Sequence, residues 1–140
     1  MVKLEIVCRD LFTAPDDCYL VHCISSDLNM GLGIAVQFQK KFKVRGKIKK
    51  ARQEIKHPDA VLTGRVFNLI TKKSYWNKPT YNSLEQSLLK MKTTIKRLGI
   101  KKIASPKIGC GLDRLQWPRV RDMIKEVFSD MDIEWTIYFL

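Results

Sequence analysis

The chain has 140 residues, 45% of them hydrophobic and 29% charged, enough for one core and too few for two ordinary domains. Its 26 Lys and Arg against 14 Asp and Glu give a net charge of +12, which favours polyanionic partners: nucleic acid, nucleotide phosphates or anionic polymers. No apolar run approaches the roughly 20 residues that cross a bilayer. The Glu5 carboxylate interrupts the N-terminal stretch where a signal peptide needs its apolar centre. The expectation is a single intracellular domain over residues 1–140, without membrane association.

Val2, Leu4 and Ile6 alternate with polar neighbours as a strand does, and Tyr19 to Ile24 is an apolar run suited to a central strand. From Ile34, the spacing Ile34, Phe38, Phe42 marks one helical face, and helical composition continues to about Ile55 before His57-Pro58-Asp59. Ala60–Leu62 and Val66–Ile70, separated by Thr63-Gly64-Arg65, predict two consecutive strands, paired as a hairpin. After Pro79, a helix carries Leu84, Leu88, Met91, Ile95 and Leu98, with Asn82 and Glu85 in capping-box register and Gly99 as its stop. A short strand at Lys101–Ala104 precedes a loop from Ser105 to Arg114. Val120, Met123, Ile124, Val127 and Phe128 give another amphipathic helix entered through Pro118, and Ile133, Trp135, Ile137 and Phe139 a last strand. Such alternation predicts a layered α/β fold with a largely parallel sheet covered on both faces.

Ligands of such sheets bind where strands end and helices begin. Gly31-Leu32-Gly33 follows the second strand and opens a helix, and Pro106 to Asp113 follows the Lys101–Ala104 strand with glycines at 109 and 111. Either loop alone reads equally as a tight turn, but the pair fits a diphosphate better than either fits a phosphate. Cys8, Cys18, Cys23 and Cys110 show neither CxxC nor paired zinc spacing and read as reduced thiols. His22 and His57 are the only histidines and neither has a metal-compatible partner, so no metal or cofactor is expected. Between Lys40 and Lys56 stand nine basic residues and one acid, Glu54. This segment reads either as a solvated helix surface or as a face for a phosphate-rich partner.

Several stretches together resemble the macrodomains: Cys8 to Phe12, His22 to Ser25, Gly31 to Ala35, Leu69-Ile70-Thr71-Lys72-Lys73, Lys78 to Tyr81, and Ile108 to Trp117. Ile-Thr-Lys-Lys and Gly-Cys-Gly-Leu-Asp-Arg-Leu-Gln-Trp narrow the resemblance to the terminal ADP-ribose protein glycohydrolase branch. It implies a three-layer α/β/α fold around a mixed, mostly parallel sheet, and a site for ADP-ribose. By that resemblance Asp10, with Leu11 beside it, matches the acid at the adenine amino group, and Leu140 lies near the adenosine. Gly31, Gly33, Ile34 and Ala35 match one loop around the phosphates and distal ribose. Pro106, Lys107, Ile108, Gly109, Cys110, Gly111 and Leu112 match the opposing loop. Lys72 matches the catalytic lysine and Asp113 the catalytic acid. His22, Ser25 and Thr71 lie in the matched stretches and join the substrate-binding set, although a histidine in a buried strand also reads as a core residue. Arg9 stands where macrodomains usually carry Gly, and Lys47 to Arg52 belongs to no family motif.

The implied reaction releases ADP-ribose from glutamate or aspartate side chains and deacylates O-acyl-ADP-ribose. A neutral lysine amine attacks an anomeric carbon once desolvation or nearby positive charge, for which Lys73 is a candidate, favours it. A carboxylate moves protons and helps resolve the adduct. On composition alone Lys72 is a solvated lysine and Asp113 a partner for Arg114. Tyr75 and Trp76 read as a base-stacking pair, a lid or a core edge. Two other functions stay open: a non-catalytic reader of ADP-ribose or poly(ADP-ribose), and a nucleic-acid-binding domain using Lys40–Lys56. The chain is expected to be a monomer acting on ADP-ribosylated proteins in the nucleus and cytoplasm.

Overall fold

The computed structural model describes all 140 residues. Its elements in chain order are β1 (Lys3–Cys8), a single 3₁₀ turn (Leu11–Thr13), β2 (Tyr19–Ser25), α1 (Ile34–Phe42), α2 (Val44–Ala51), β3 (Asp59–Thr63) and β4 (Val66–Lys72). They continue as α3 (Tyr81–Leu98), β5 (Lys102–Ser105), α4 (Trp117–Val127) and β6 (Glu134–Phe139). The six strands form one sheet in the order β1-β6-β5-β2-β4-β3. Only β3 is antiparallel, in a hairpin with β4. The parallel strands therefore end at one edge of the sheet, which gathers the segments after Cys8, Ser25, Lys72, Ser105 and Phe139.

Two cores, one on each face, make the three layers. Strand alternation divides the side chains between them. Leu20 and Ile24 of β2 pack under α1 and α2 with Phe38, Val44 and Ile48. Val21 and Cys23 point the other way, toward Leu84, Leu88 and Met91 of α3 and Val120 and Ile124 of α4. No helix is long and apolar enough to cross a membrane.

The long helix expected over Ile34 to about Ile55 is two helices. Lys43 takes left-handed backbone angles (φ 51°, ψ 46°) between them, and the turn lets both Phe38 and Val44 reach the core. The capping box of α3 is not Asn82/Glu85 but Thr80/Ser83: Thr80 Oγ1 accepts from Ser83 N at 2.9 Å, and Ser83 Oγ from Thr80 N at 3.0 Å. The register starts two residues earlier, and Ser serves where Glu or Gln is usual. Leu98 is exposed rather than core.

Candidate active site

At the carboxyl ends of β2, β4 and β5 lies a cavity of about 620 Å³, a size that suits a small-molecule ligand. One wall is the start of α1. Gly33 precedes it with φ 63° and ψ −153°, a region essentially confined to glycine, and a Cβ there would stand 3.2 Å from Leu112 Cδ1. No side chain caps α1, and Ile34 and Ala35 at its start line the wall. A helix N-terminus of this kind receives anions.

The facing wall is the loop after β5. It is folded back by Leu115 N donating to Gly109 O at 2.7 Å and Cys110 N to Lys107 O at 3.1 Å. Gly109 has φ 73°, and a Cβ on it would meet Leu115 Cδ1 at 2.9 Å. Lys78 Nζ ties the tip by donating to Leu112 O at 2.7 Å. Pro106, Lys107, Ile108, Gly111, Leu112 and Asp113 line the cavity from this side.

Lys72 ends β4, and its Nζ donates to Asp113 Oδ1 at 2.6 Å, with both side chains 13% exposed. Two residues 41 positions apart thus meet on the cavity wall. Asp113 makes no ion pair with its neighbour Arg114, and Lys73, the candidate source of charge, is exposed and away from the wall. Four cationic residues line the cavity (Lys72, Lys78, Lys107 and Arg114) against the one carboxylate of Asp113. That balance suits a diphosphate.

The segment carrying Lys72 is fixed by a residue that sequence reasoning passed over. Asp27 Oδ2 accepts the amide of Tyr75 at 2.9 Å, and Oδ1 accepts the Ser25 hydroxyl and the Asn29 amide. Ser26 N donates to Lys72 O at 2.9 Å, and Ser26 Oγ to Lys73 O at 2.8 Å. Partial burial pushes the Asp27 carboxyl up, but these hydrogen bonds and the Lys72 charge outweigh it and hold the group below the ordinary carboxylate value. Asp27-Leu28-Asn29 after a strand is an Asx-turn signature, and that was the signal available. Cys23, Ile24, Asn29, Leu32, Lys78 and Arg114 also line the cavity without having been singled out as site residues.

Tyr75 and Trp76 form neither a core nor its edge. They stand 45% and 68% exposed on the cavity rim, their rings edge to face at 5.2 Å. Burial pushes up the thiols of Cys23 and Cys110, which leaves neither a ready thiolate.

Of the expected site residues, Ser25, Gly33, Ile34, Ala35, Lys72, Asp113 and most of the 106–112 loop line the cavity. Gly31 is exposed and outside the lining, although Asn29 and Leu32 on either side of it belong to it, and Cys110 points its Sγ back to Ile108 O at 3.3 Å. Asp10, Leu11 and Leu140 sit beyond β1 and β6 on the same sheet edge but outside the lining. Asp10 accepts from Phe12 N at 3.0 Å, Leu11 is buried and Leu140 is 90% exposed. Thr71 is buried, and its Oγ1 has no partner.

His22 is a correction. It is fully buried on the α1 side of the sheet, stacked on Phe38 at 3.9 Å, with Nε2 bonded to Asn68 Oδ1 at 2.6 Å. Strand parity sends it with Leu20 and Ile24 into the core, and burial, against the Asn68 bond, lowers its pKa to about 4.

No protein-family model matches the chain. It is 44% identical over 142 residues to a Homo sapiens protein named ADP-ribose glycohydrolase OARD1, a match covering 99% of this chain and 92% of that one. It is 28% identical over 148 residues to a DNA ADP-ribosyl glycohydrolase of Thermus aquaticus, of which the match covers 41%. Among solved structures, the macrodomain of Thermus aquaticus DarG superposes over the full length of both chains with a TM-score of 0.84 at 26% identity. The macrodomain of Mycobacterium tuberculosis DarG gives 0.85 at 24% identity, over 100% of this chain and 99% of that one. By sequence and by architecture, the chain belongs to the macrodomain family, on its ADP-ribose glycohydrolase branch.

Proposed function

We propose that this protein binds ADP-ribose in the cavity and hydrolyses the ester joining its anomeric carbon to glutamate or aspartate side chains, and likewise deacylates O-acyl-ADP-ribose. The observation that carries the reading is the 2.6 Å contact between Lys72 Nζ and Asp113 Oδ1 on the cavity wall. The named glycohydrolase relative at 44% identity supports it. The diphosphate lies between the α1 N-terminus and the 106–112 loop, where main-chain amides and Lys107 meet its charge.

In the reaction, the proton of the Lys72 ammonium passes along the hydrogen bond to Asp113 and leaves a neutral amine. The amine attacks the anomeric carbon. A C–N bond forms, the C–O bond breaks, and the acceptor carboxylate leaves with the bonding pair. Asp113 gives the proton it took from Lys72 to solvent, which is the one proton that ester hydrolysis releases at neutral pH. The carboxylate then takes a proton from a water that adds to the same carbon and hands it to the departing lysine nitrogen. The C–N bond breaks, the lysine regains a proton, and ADP-ribose departs. Water is consumed once, and the sum is hydrolysis.

Release of free ADP-ribose from a mono-ADP-ribosylated protein tests the proposal. Lys72→Ala and Asp113→Ala are each expected to lower release at least a hundredfold while still binding ADP-ribose. Release at the wild-type rate by Lys72→Ala removes the lysine from the mechanism.

A further inference from the structure

The nine basic residues between Lys40 and Lys56, set against Glu54, carry a net +8 of the chain's +12, and the cavity uses none of them. Neither α1 nor α2 contains an acid. Two of the nine are tied to the fold: Arg45 Nε donates to Leu28 O at 2.9 Å, and Arg52 pairs with Asp59 at 3.3 Å. Lys41 lies over the Phe12 ring at 5.3 Å. Lys40, Lys43, Lys47, Lys49, Lys50 and Lys56 are exposed and make no ion pair.

Solubility alone does not require this concentration. The other 123 residues already hold +4, within the range of about 2 to 8 that keeps a small domain dispersed. Lysines in the last turns complement the helix dipoles, but Lys43, Lys47 and Lys56 lie outside those turns. Like charges crowded on two short helices repel one another, and a polyanion relieves that repulsion.

We propose that α1 and α2 form a docking surface for the phosphate backbone of double-helical nucleic acid, engaged without reading base sequence. The partner's class follows from the side chains present. The free cations are lysines, which act as point charges toward phosphates rather than as forks toward base edges. No exposed aromatic residue lies on either helix, so the stacking platform of single-strand binding is lacking. In the exposed first turn of α2 stands Gly46, where a Cβ would meet nothing within 4 Å. A glycine there weakens the helix relative to alanine and leaves the main chain bare beside Arg45 and Lys47, open to the close approach of a phosphate. The first turn of α1 walls the cavity and its last turn carries Lys40 and Lys41. A duplex on this face therefore lies beside the cavity, and its binding does not depend on the proposed reaction.

The test is fluorescence anisotropy with a labelled 20-bp DNA duplex of arbitrary sequence, between about 50 and 200 mM salt. Replacing Lys47, Lys49 and Lys50 together with Gln is expected to weaken binding at least tenfold at low salt and to cut the log–log salt slope by about three. Replacing Lys90, Lys96 and Lys125, exposed lysines of α3 and α4, is expected to change affinity less than twofold. Both triples are expected to keep wild-type release of ADP-ribose from a mono-ADP-ribosylated peptide. Should the α2 triple fail to fold, Lys43→Gln with Lys56→Gln, both outside helix interiors, reads the same effect at about a fivefold loss. Equal losses from both triples overturn the proposal. So does a tenfold preference for single strands, or binding to phosphatidylserine vesicles without binding to the duplex.

Discussion

Asp27 and Tyr75, 48 positions apart, are joined by a 2.9 Å hydrogen bond from the Tyr75 amide to the Asp27 carboxylate. The contact ties the loop after β2, which leads into α1, to the segment after β4 just beyond Lys72. Asp27 is a positioning residue for Lys72. Asp27→Ala is expected to lower kcat about tenfold with KM changed less than threefold, and to cost about 1 kcal/mol of stability. Asp27→Asn keeps an acceptor oxygen and is expected to recover most of kcat. Steady-state kinetics on a mono-ADP-ribosylated peptide, with thermal unfolding, check both.

Gly33 takes backbone angles that side chains resist, and a Cβ there would crowd Leu112 at 3.2 Å. Gly33→Ala is expected to cost about 2 kcal/mol in backbone strain, released by pulling the α1 amides away from the cavity. Calorimetry with ADP-ribose is expected to show binding at least tenfold weaker.

Trp76 is 68% exposed on the rim beside Tyr75, and apolar surface there gains only when a ligand covers it. Trp76→Ala is expected to weaken ADP-ribose binding three- to tenfold while leaving the unfolding temperature within about 2 °C of wild type, because a mostly exposed side chain contributes little to the folded state.

The buried His22 couples stability to acid. Its folded pKa is lowered from 6.5 to about 4, so between those values the unfolded chain takes up a proton that the folded chain refuses. Stability is therefore full above pH 6.5 and falls as pH drops toward 4, by about 3 kcal/mol from this residue. Urea unfolding at pH 7 and pH 4.5 is expected to show the loss. His22→Leu is expected to remove most of the difference, provided both variants are compared with their own values at pH 7.

The sequence carried the periodic parts of this molecule well. Leu84, Leu88, Met91 and Ile95 share one helical face because no tertiary contact competes with that spacing, and the β3–β4 hairpin follows from Thr63-Gly64-Arg65 between two apolar runs. The break at Lys43 was not legible, since a left-handed lysine is set by what Phe38 and Val44 must reach on the sheet. His22 was misassigned because a matched stretch says nothing of strand parity, which here sends the imidazole toward Phe38 rather than the cavity. Lys72 and Asp113 stood out only through motif resemblance. Their meeting depends on the order β5-β2-β4, a non-local feature that spacing along the chain does not encode. Asp27 escaped notice because its partners, Ser25, Asn29 and Tyr75, include main-chain amides, and main-chain donors leave no mark on residue type.

The most direct measurement is intact-mass and peptide-mapping analysis of the protein quenched during turnover of a mono-ADP-ribosylated peptide. With Asp113→Ala, in which solvent must deprotonate Lys72 slowly and no carboxylate remains to activate the water that resolves the adduct, one ADP-ribosyl unit is expected to build up over a long incubation on Lys72 and on no other residue. Full turnover by this variant with no adduct, or an adduct that persists when Lys72 is replaced, contradicts the pairing of amine and carboxylate as the machinery of hydrolysis.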